Sequence, residues 1–135
     1  MQPVIVVLGL VAFATVLGLV WKSQQGRVTL TSSTVELPDG VTLGDRATLL
    51  QFSTEVCSPC KATHAVLDSL ARDSDDVAHV DIDLTHRPEV AARFNILQTP
   101  TTFILDRDGV IRARIGGAVR REIVLAELNR IGVAA

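Results

Sequence analysis

The chain has 135 residues, 47% of them apolar, enough for one domain of ordinary size whose core needs no disulfide staples. Its charge is uneven: residues 1–21 hold no Asp, Glu, Lys or Arg, and the 13 basic residues, less Lys22 and Arg27, leave 11 against 15 acidic ones from Val28 onward. This mildly acidic part carries no basic footprint, which excludes nucleic acid as a partner, and two cysteines are too few for a disulfide scaffold.

The first element is Val4–Trp21, VIVVLGLVAFATVLGLVW, apolar except for Thr15, whose hydroxyl can bond back to its own helix. At 1.5 Å per residue, about 18–20 such residues cross a hydrocarbon core of about 30 Å. Trp21 and Lys22 fall where an interfacial anchor belongs. Residues 1–21 are therefore read as a single transmembrane helix that inserts through residues 4–21. Two alternatives stand beside this reading. A cleaved signal peptide has a small-residue exit in Ala12-Phe13-Ala14, but Met-Gln-Pro lacks its basic start. A soluble core helix would need a polar face, which this segment lacks. Lys22 and Arg27 lie downstream of the span with no Lys or Arg upstream, so the positive-inside rule puts the C-terminal domain in the cytoplasm.

Residues 22–27 (KSQQGR) read as a short polar tether and residues 28–135 as one domain. Val28–Thr31 and Thr34–Leu37 look like short strands. Pro38-Asp39-Gly40 and Gly44-Asp45 are turn signals. Ala47–Phe52 is a nearly continuous apolar run, as a buried central strand would be. Pro59–Arg72 is helical, with Ala62, Val66, Leu67 and Leu70 as its apolar stripe. Val77–Leu84 alternates as a strand. Thr85 is expected to cap a helix that carries Pro88 in its first turn and ends near Phe94, with Asn95 as the stop. Thr101–Leu105 and Val110–Ile115 pair across the hairpin turn Asp106–Gly109. Gly116-Gly117 breaks the chain before a last helix, Val119–Ile131, with Ile123, Leu125, Leu128 and Ile131 apolar. Strand, helix, strand, helix, hairpin, helix is an α/β pattern. It predicts a mixed central sheet with helices on both faces.

The chemistry centres on Cys57-Ser58-Pro59-Cys60, which opens a helix after the central strand. A dithiol exchanges disulfides only if one sulfur is an exposed thiolate and the other can attack it afterwards. Cys57 falls at or beside the N-cap, where free N–H groups and the positive helix end favour the thiolate. A free thiol of pKa about 8.5 is only about 3% ionised at pH 7, and making it half ionised takes roughly 2 kcal/mol of preferential stabilisation. Cys60, one turn inside, would be the covered resolving thiol, and Pro59 sits where its missing N–H costs little. The bland alternatives are a zinc site or a metal-delivery site using Cys57, Cys60 and His64, or two inert buried cysteines; Glu55 before the pair and Ser58-Pro59 within it look like a loop surface, and Val56, Ser58 and Pro59 are read as the active-site loop. Thr99-Pro100-Thr101 enters a strand directly from a loop. It is either an ordinary trans turn or a cis peptide that turns the Thr99 backbone toward the cysteines, ready to pair with an extended substrate chain.

Thr48–Ile131 resembles thioredoxin-like proteins. The likeness rests on several motifs in order: a strand leading into Cys57-Ser58-Pro59-Cys60-Lys61, then Val80-Asp81-Ile82-Asp83, then the Thr99-Pro100-Thr101 strand start, the hairpin, and Gly116 before the last helix. The resemblance implies a thioredoxin-like fold and a protein-disulfide oxidoreductase. Cys57 would attack, Cys60 would resolve, Pro100 would be cis, and Thr99 with Pro100 would bind substrate. It implies protein disulfides as substrates and a reductase or other dithiol as electron donor, with no cofactor and no metal. Leu37–Leu43 and Phe103–Ile111 look more like the membrane-anchored branch that serves cytochrome c maturation and extracytoplasmic thiol reduction, although an insertion common there after the active-site helix is missing. Val56 stands where thioredoxins usually have Trp, Gln51 where a buried Asp moves protons for the resolving cysteine, and His79 where a Lys is frequent. A reductase is the favoured direction. An extracytoplasmic oxidant or isomerase, or a non-catalytic binding module, would use the same residues.

Overall fold

The computed structural model describes residues 1–24 and 26–134. Helix α1, Gln2–Gln24, is long and apolar enough to cross a membrane. Its apolar side chains are exposed on every side and none of its residues is buried, so it is not a core helix of this domain. The Thr15 hydroxyl donates to the Val11 carbonyl at 2.8 Å, which satisfies its one polar side chain within the apolar stretch. The helix runs through Lys22, Ser23 and Gln24, and Arg27 already belongs to the next strand. The expected tether of residues 22–27 is thus mostly regular structure, and its Gln25 lies outside the described residues.

The remaining elements are β1 Arg27–Ser33, β2 Ala47–Ser53, α2 Ser58–Arg72, β3 Val77–Asp83, α3 Pro88–Arg93, β4 Thr101–Asp106, β5 Ile111–Gly116 and α4 Arg121–Ala134. The strands form one mixed sheet in the order β1-β5-β4-β2-β3, with β2 and β3 parallel and the other pairs antiparallel. β2 is buried along its whole length because helices or loops cover both of its faces. Alternation sends Ala47 and Leu49 to one side, where Leu67 and Leu70 of α2 and Val124, Leu128 and Ile131 of α4 meet them. Leu50 and Phe52 go to the other side, with Val90 and Phe94 of α3. There Phe52 lies 5.4 Å from Phe94 and 5.1 Å from Phe103, ring centre to ring centre. Helices therefore do cover both faces.

Three local expectations are corrected. Two short strands near the start are one, because β5, the strand that β1 pairs with, ends its ladder at Ile111 opposite Ser33. Val35, Leu37, Val41 and Leu43 pack on the core instead without joining the sheet. Thr85 does not cap α3: its N–H and hydroxyl both donate to Asp83 Oδ1, at 2.8 and 2.6 Å, and Arg87 holds the N-cap position. On α4, Val124 is fully buried and Leu125 is 38% exposed, because Val124, Leu128 and Ile131, at spacings of four and three, form the face that meets the core; the helix itself starts at Arg121, two residues after Val119. Gly44 marks a close approach: a Cβ there would lie 2.3 Å from the Ala47 carbonyl and 2.7 Å from the Ala78 nitrogen.

Candidate active site at the N-terminus of helix α2

β2 delivers the chain through Thr54–Val56 to Cys57, which is the N-cap residue of the 15-residue helix α2 and has extended φ and ψ of −146° and 96°. Pro59 occupies the first turn, and no acidic residue lies there to compete with a thiolate. Cys57 and Cys60 are joined by a disulfide, with Cα atoms 5.3 Å apart. Cys57 is half-buried, while Cys60 is only 4% exposed. Val56, Ser58 and Pro59 are exposed. The loop is pinned from below, since the Glu55 N–H donates to the Thr85 hydroxyl at 3.0 Å. Nothing local in the sequence marks Thr85 for this role, because its partner is 30 residues away.

Alternation along β2 and β3 also aims Gln51, Ser53, His79 and Asp81 at the α2 side of the sheet. Gln51 is fully buried and its Nε2 donates to the Cys60 carbonyl at 3.0 Å. That leaves its Oε1 facing His79 Nε2 at 3.1 Å, so this ring nitrogen carries the proton. The His79 ring meets His64 edge-on at 4.8 Å. Burial first, and then the His64 ring, hold the His79 imidazole below its ordinary value, against the upward pull of Asp81 and Asp68. The Ser53 hydroxyl donates to Asp81 Oδ1. Ser53, Thr54, Glu55, Lys61, His64 and Asp81 line a shallow cleft beside the two cysteines.

The Thr99–Pro100 peptide is cis. The Pro100 carbonyl accepts from the Gly117 N–H at 2.8 Å, and the Thr99 hydroxyl lies 3.5 Å from that of Thr54, in the loop leading to Cys57. Leu97, in the same loop as Pro100, is 85% exposed. Sequence reasoning did not single it out, although it is a large apolar residue in the run Asn95-Ile96-Leu97-Gln98-Thr99.

A second, larger cleft of about 890 Å³ lies at the opposite end of the sheet, between β1, the β4–β5 turn and α4. It holds no cysteine or histidine, and its Arg46, Arg112 and Arg130 are paired with Asp76, Asp106 and Glu127. The metal alternative gains no ligand set: no group of three His, Cys, Asp or Glu side chains is arranged to hold an ion among the described residues.

The family model described as Thioredoxin matches residues 28–130. The chain belongs to the thioredoxin family. It is 36% identical over 84 residues to the thioredoxin of Mycolicibacterium smegmatis, covering 60% of this chain and 74% of that one. It is 30% identical over 106 residues to the thioredoxin of Mycobacterium bovis, covering 74% and 90%. Among solved structures, the thioredoxin f of spinach chloroplast is 27% identical with a TM-score of 0.56, covering 65% of this chain and 78% of that one. Chloroplastic thioredoxin z shares the fold at a TM-score of 0.60 and 24% identity, over 66% and 80%. As a thioredoxin with its dithiol pair at disulfide distance, the protein is a thiol–disulfide oxidoreductase. Protein disulfides and a dithiol donor are the partners this family implies in general.

Proposed function

We propose that this thioredoxin is a single-pass membrane reductase, with residues 1–21 as anchor and 28–135 as catalytic domain, in which Cys57 attacks and Cys60 resolves. The carrying observation is the contrast between a half-buried Cys57 on the leading end of α2 and a covered Cys60 within bonding reach. The Cys57 thiolate attacks one sulfur of a substrate disulfide, and the other substrate sulfur leaves as a thiolate. Cys60 then loses its proton and attacks the Cys57 sulfur, which expels the second substrate thiol and closes the Cys57–Cys60 disulfide. Two electrons pass to the substrate, and a reductase or other dithiol restores the pair. Thr99 and Pro100 border the loop that carries Cys57 and offer backbone to an extended substrate segment. Val56, Ser58 and Pro59 form the exposed lip around the reacting sulfur.

The apolar, unburied α1 supports anchoring, and Lys22 and Arg27 downstream of it support a cytoplasmic domain. Substitution Cys60→Ser is expected to accumulate mixed disulfides through Cys57, and Cys57→Ser to accumulate none. Recovery of none from Cys60→Ser, with the protein folded, contradicts the assignment. The reduction potential fixes direction: a value near −270 mV fits a reductase, and one near −120 mV fits an oxidant. An impermeant thiol reagent that labels Cys57 in intact cells would place the domain outside.

A further inference from the structure

The redox pair and the exit of α1 lie at the same end of the sheet. Register establishes this across four strands. Arg27, the first residue of β1, is opposite Gly116 of β5, Gly116 is opposite Thr101 of β4, and Thr101 is opposite Phe52 of β2. Thr101 follows Pro100 directly, and Phe52 is five residues before Cys57. Backbone bonds stitch this row together: the Gly26 N–H donates to the Gly116 carbonyl, and the Gly117 N–H to the Pro100 carbonyl, both at 2.8 Å. At about 4.8 Å per strand spacing, Arg27 sits roughly 14 Å from β2. Three peptide units separate Arg27 from Gln24, the last residue of α1, so the helix end lies within about 11 Å of Arg27 whatever path joins them. The other end of the sheet, with Ser33, Asp106 and Ala47, is about 20 Å further off.

The exposed surface agrees with this placement. Downstream of α1, the large apolar residues at the surface among the described residues are Leu30 at 58%, Val56 at 97%, Leu97 at 85% and Leu125 at 38% exposed. The two most exposed, Val56 and Leu97, flank Cys57 and Pro100. Taking the anchor proposed above as given, we infer that the redox end of the domain faces the bilayer that holds α1, and that its partner is a disulfide carried close to the surface by a second protein of that membrane. The partner is a protein and not lipid because the group presented there is a dithiol, whose exchange needs a sulfur on the other side. Val56 and Leu97 supply apolar contact to the segment flanking that disulfide.

The test uses the full chain reconstituted in nanodiscs with nitroxide-headgroup lipid. A bimane label is placed on Cys57 in Cys60→Ser, or at position 107 in Arg107→Cys with both native cysteines replaced by Ser. Arg107 is exposed at the far end of the sheet. In unlabelled wild-type discs the substrate is a co-reconstituted transmembrane peptide with a disulfide loop, set either about 5 residues above its span or beyond a helical spacer of about 40 Å. The orientation predicts stronger quenching at position 57 than at 107, and reduction of the near loop about tenfold faster than the far one. Equal or stronger quenching at position 107 overturns the orientation. Stronger quenching at 57 with equal rates on the two loops overturns the partner. A chain that does not co-elute with the discs removes the anchor itself, a failure visible before either measurement.

Discussion

At the scale of single residues, the buried layer under the disulfide holds Gln51, where the resemblance implied an ionisable Asp. Gln51 cannot ionise, and it spends its amide on the Cys60 carbonyl and on His79. Substitution Gln51→Ala leaves that carbonyl and the ring N–H without partners, so it should cost about 1–3 kcal/mol in urea unfolding of the oxidised protein. His79 sets a pH dependence. Its imidazole is held down in the folded state, first by burial and then by His64, so the unfolded chain binds the proton more readily. Stability is then full above the unfolded imidazole range and falls as pH drops through about 6.5. The urea midpoint should decline toward about pH 5.5, and His79→Gln should flatten the decline; an unchanged decline in that variant would assign it to other groups. The cysteines were legible in the sequence because their spacing is local. The Gln51–His79–His64 contacts were not, because they join β2, β3 and α2 through side-chain directions that only the strand register fixes.

At the scale of elements, periodicity located the buried strands and helices well, and local capping chemistry located their ends less well. Ala47–Phe52 read correctly because a strand covered on both faces must be apolar throughout. Thr85 misled because its hydroxyl had a stronger local acceptor in Asp83. The Asp106–Gly109 turn, read from its residues, is held by Asp106. Its Oδ1 accepts from the Asp108 and Val110 N–H groups, and its Oδ2 from Arg112 at 2.7 Å. Burial alone would raise this carboxyl, yet the bonds from Val110, Arg112 and Asp108 outweigh it and hold the carboxyl below its ordinary value. The stability Asp106 contributes is therefore present above the unfolded carboxylate range, about pH 4, and lost as pH falls below it. Asp106→Asn should blunt the acid limb of the unfolding curve, and an acid limb as steep as wild type would contradict this. Gly44→Ala should destabilise by about 2 kcal/mol or more in urea unfolding, because its Cβ meets backbone atoms that have nowhere to move.

At the scale of the molecule, α1 contributes no buried residue to the domain, while two core clusters close around the sheet without it. A chain beginning at Gly26 should therefore unfold at the same urea concentration as the full chain in detergent, and a large loss would mean that the helix packs on the domain. An apolar first helix was legible in the sequence, but not which end of the sheet it leads into, since that depends on β1 joining the β5 edge. The proposed mechanism rests on one sulfur on the leading end of α2, and its most direct test is the alkylation of the fully reduced protein by iodoacetamide near pH 6, mapped by mass. The account predicts modification at Cys57, about tenfold or more faster than a free cysteine peptide, with Cys60 spared. A rate equal to that of the peptide, or modification of Cys60 first, would contradict it.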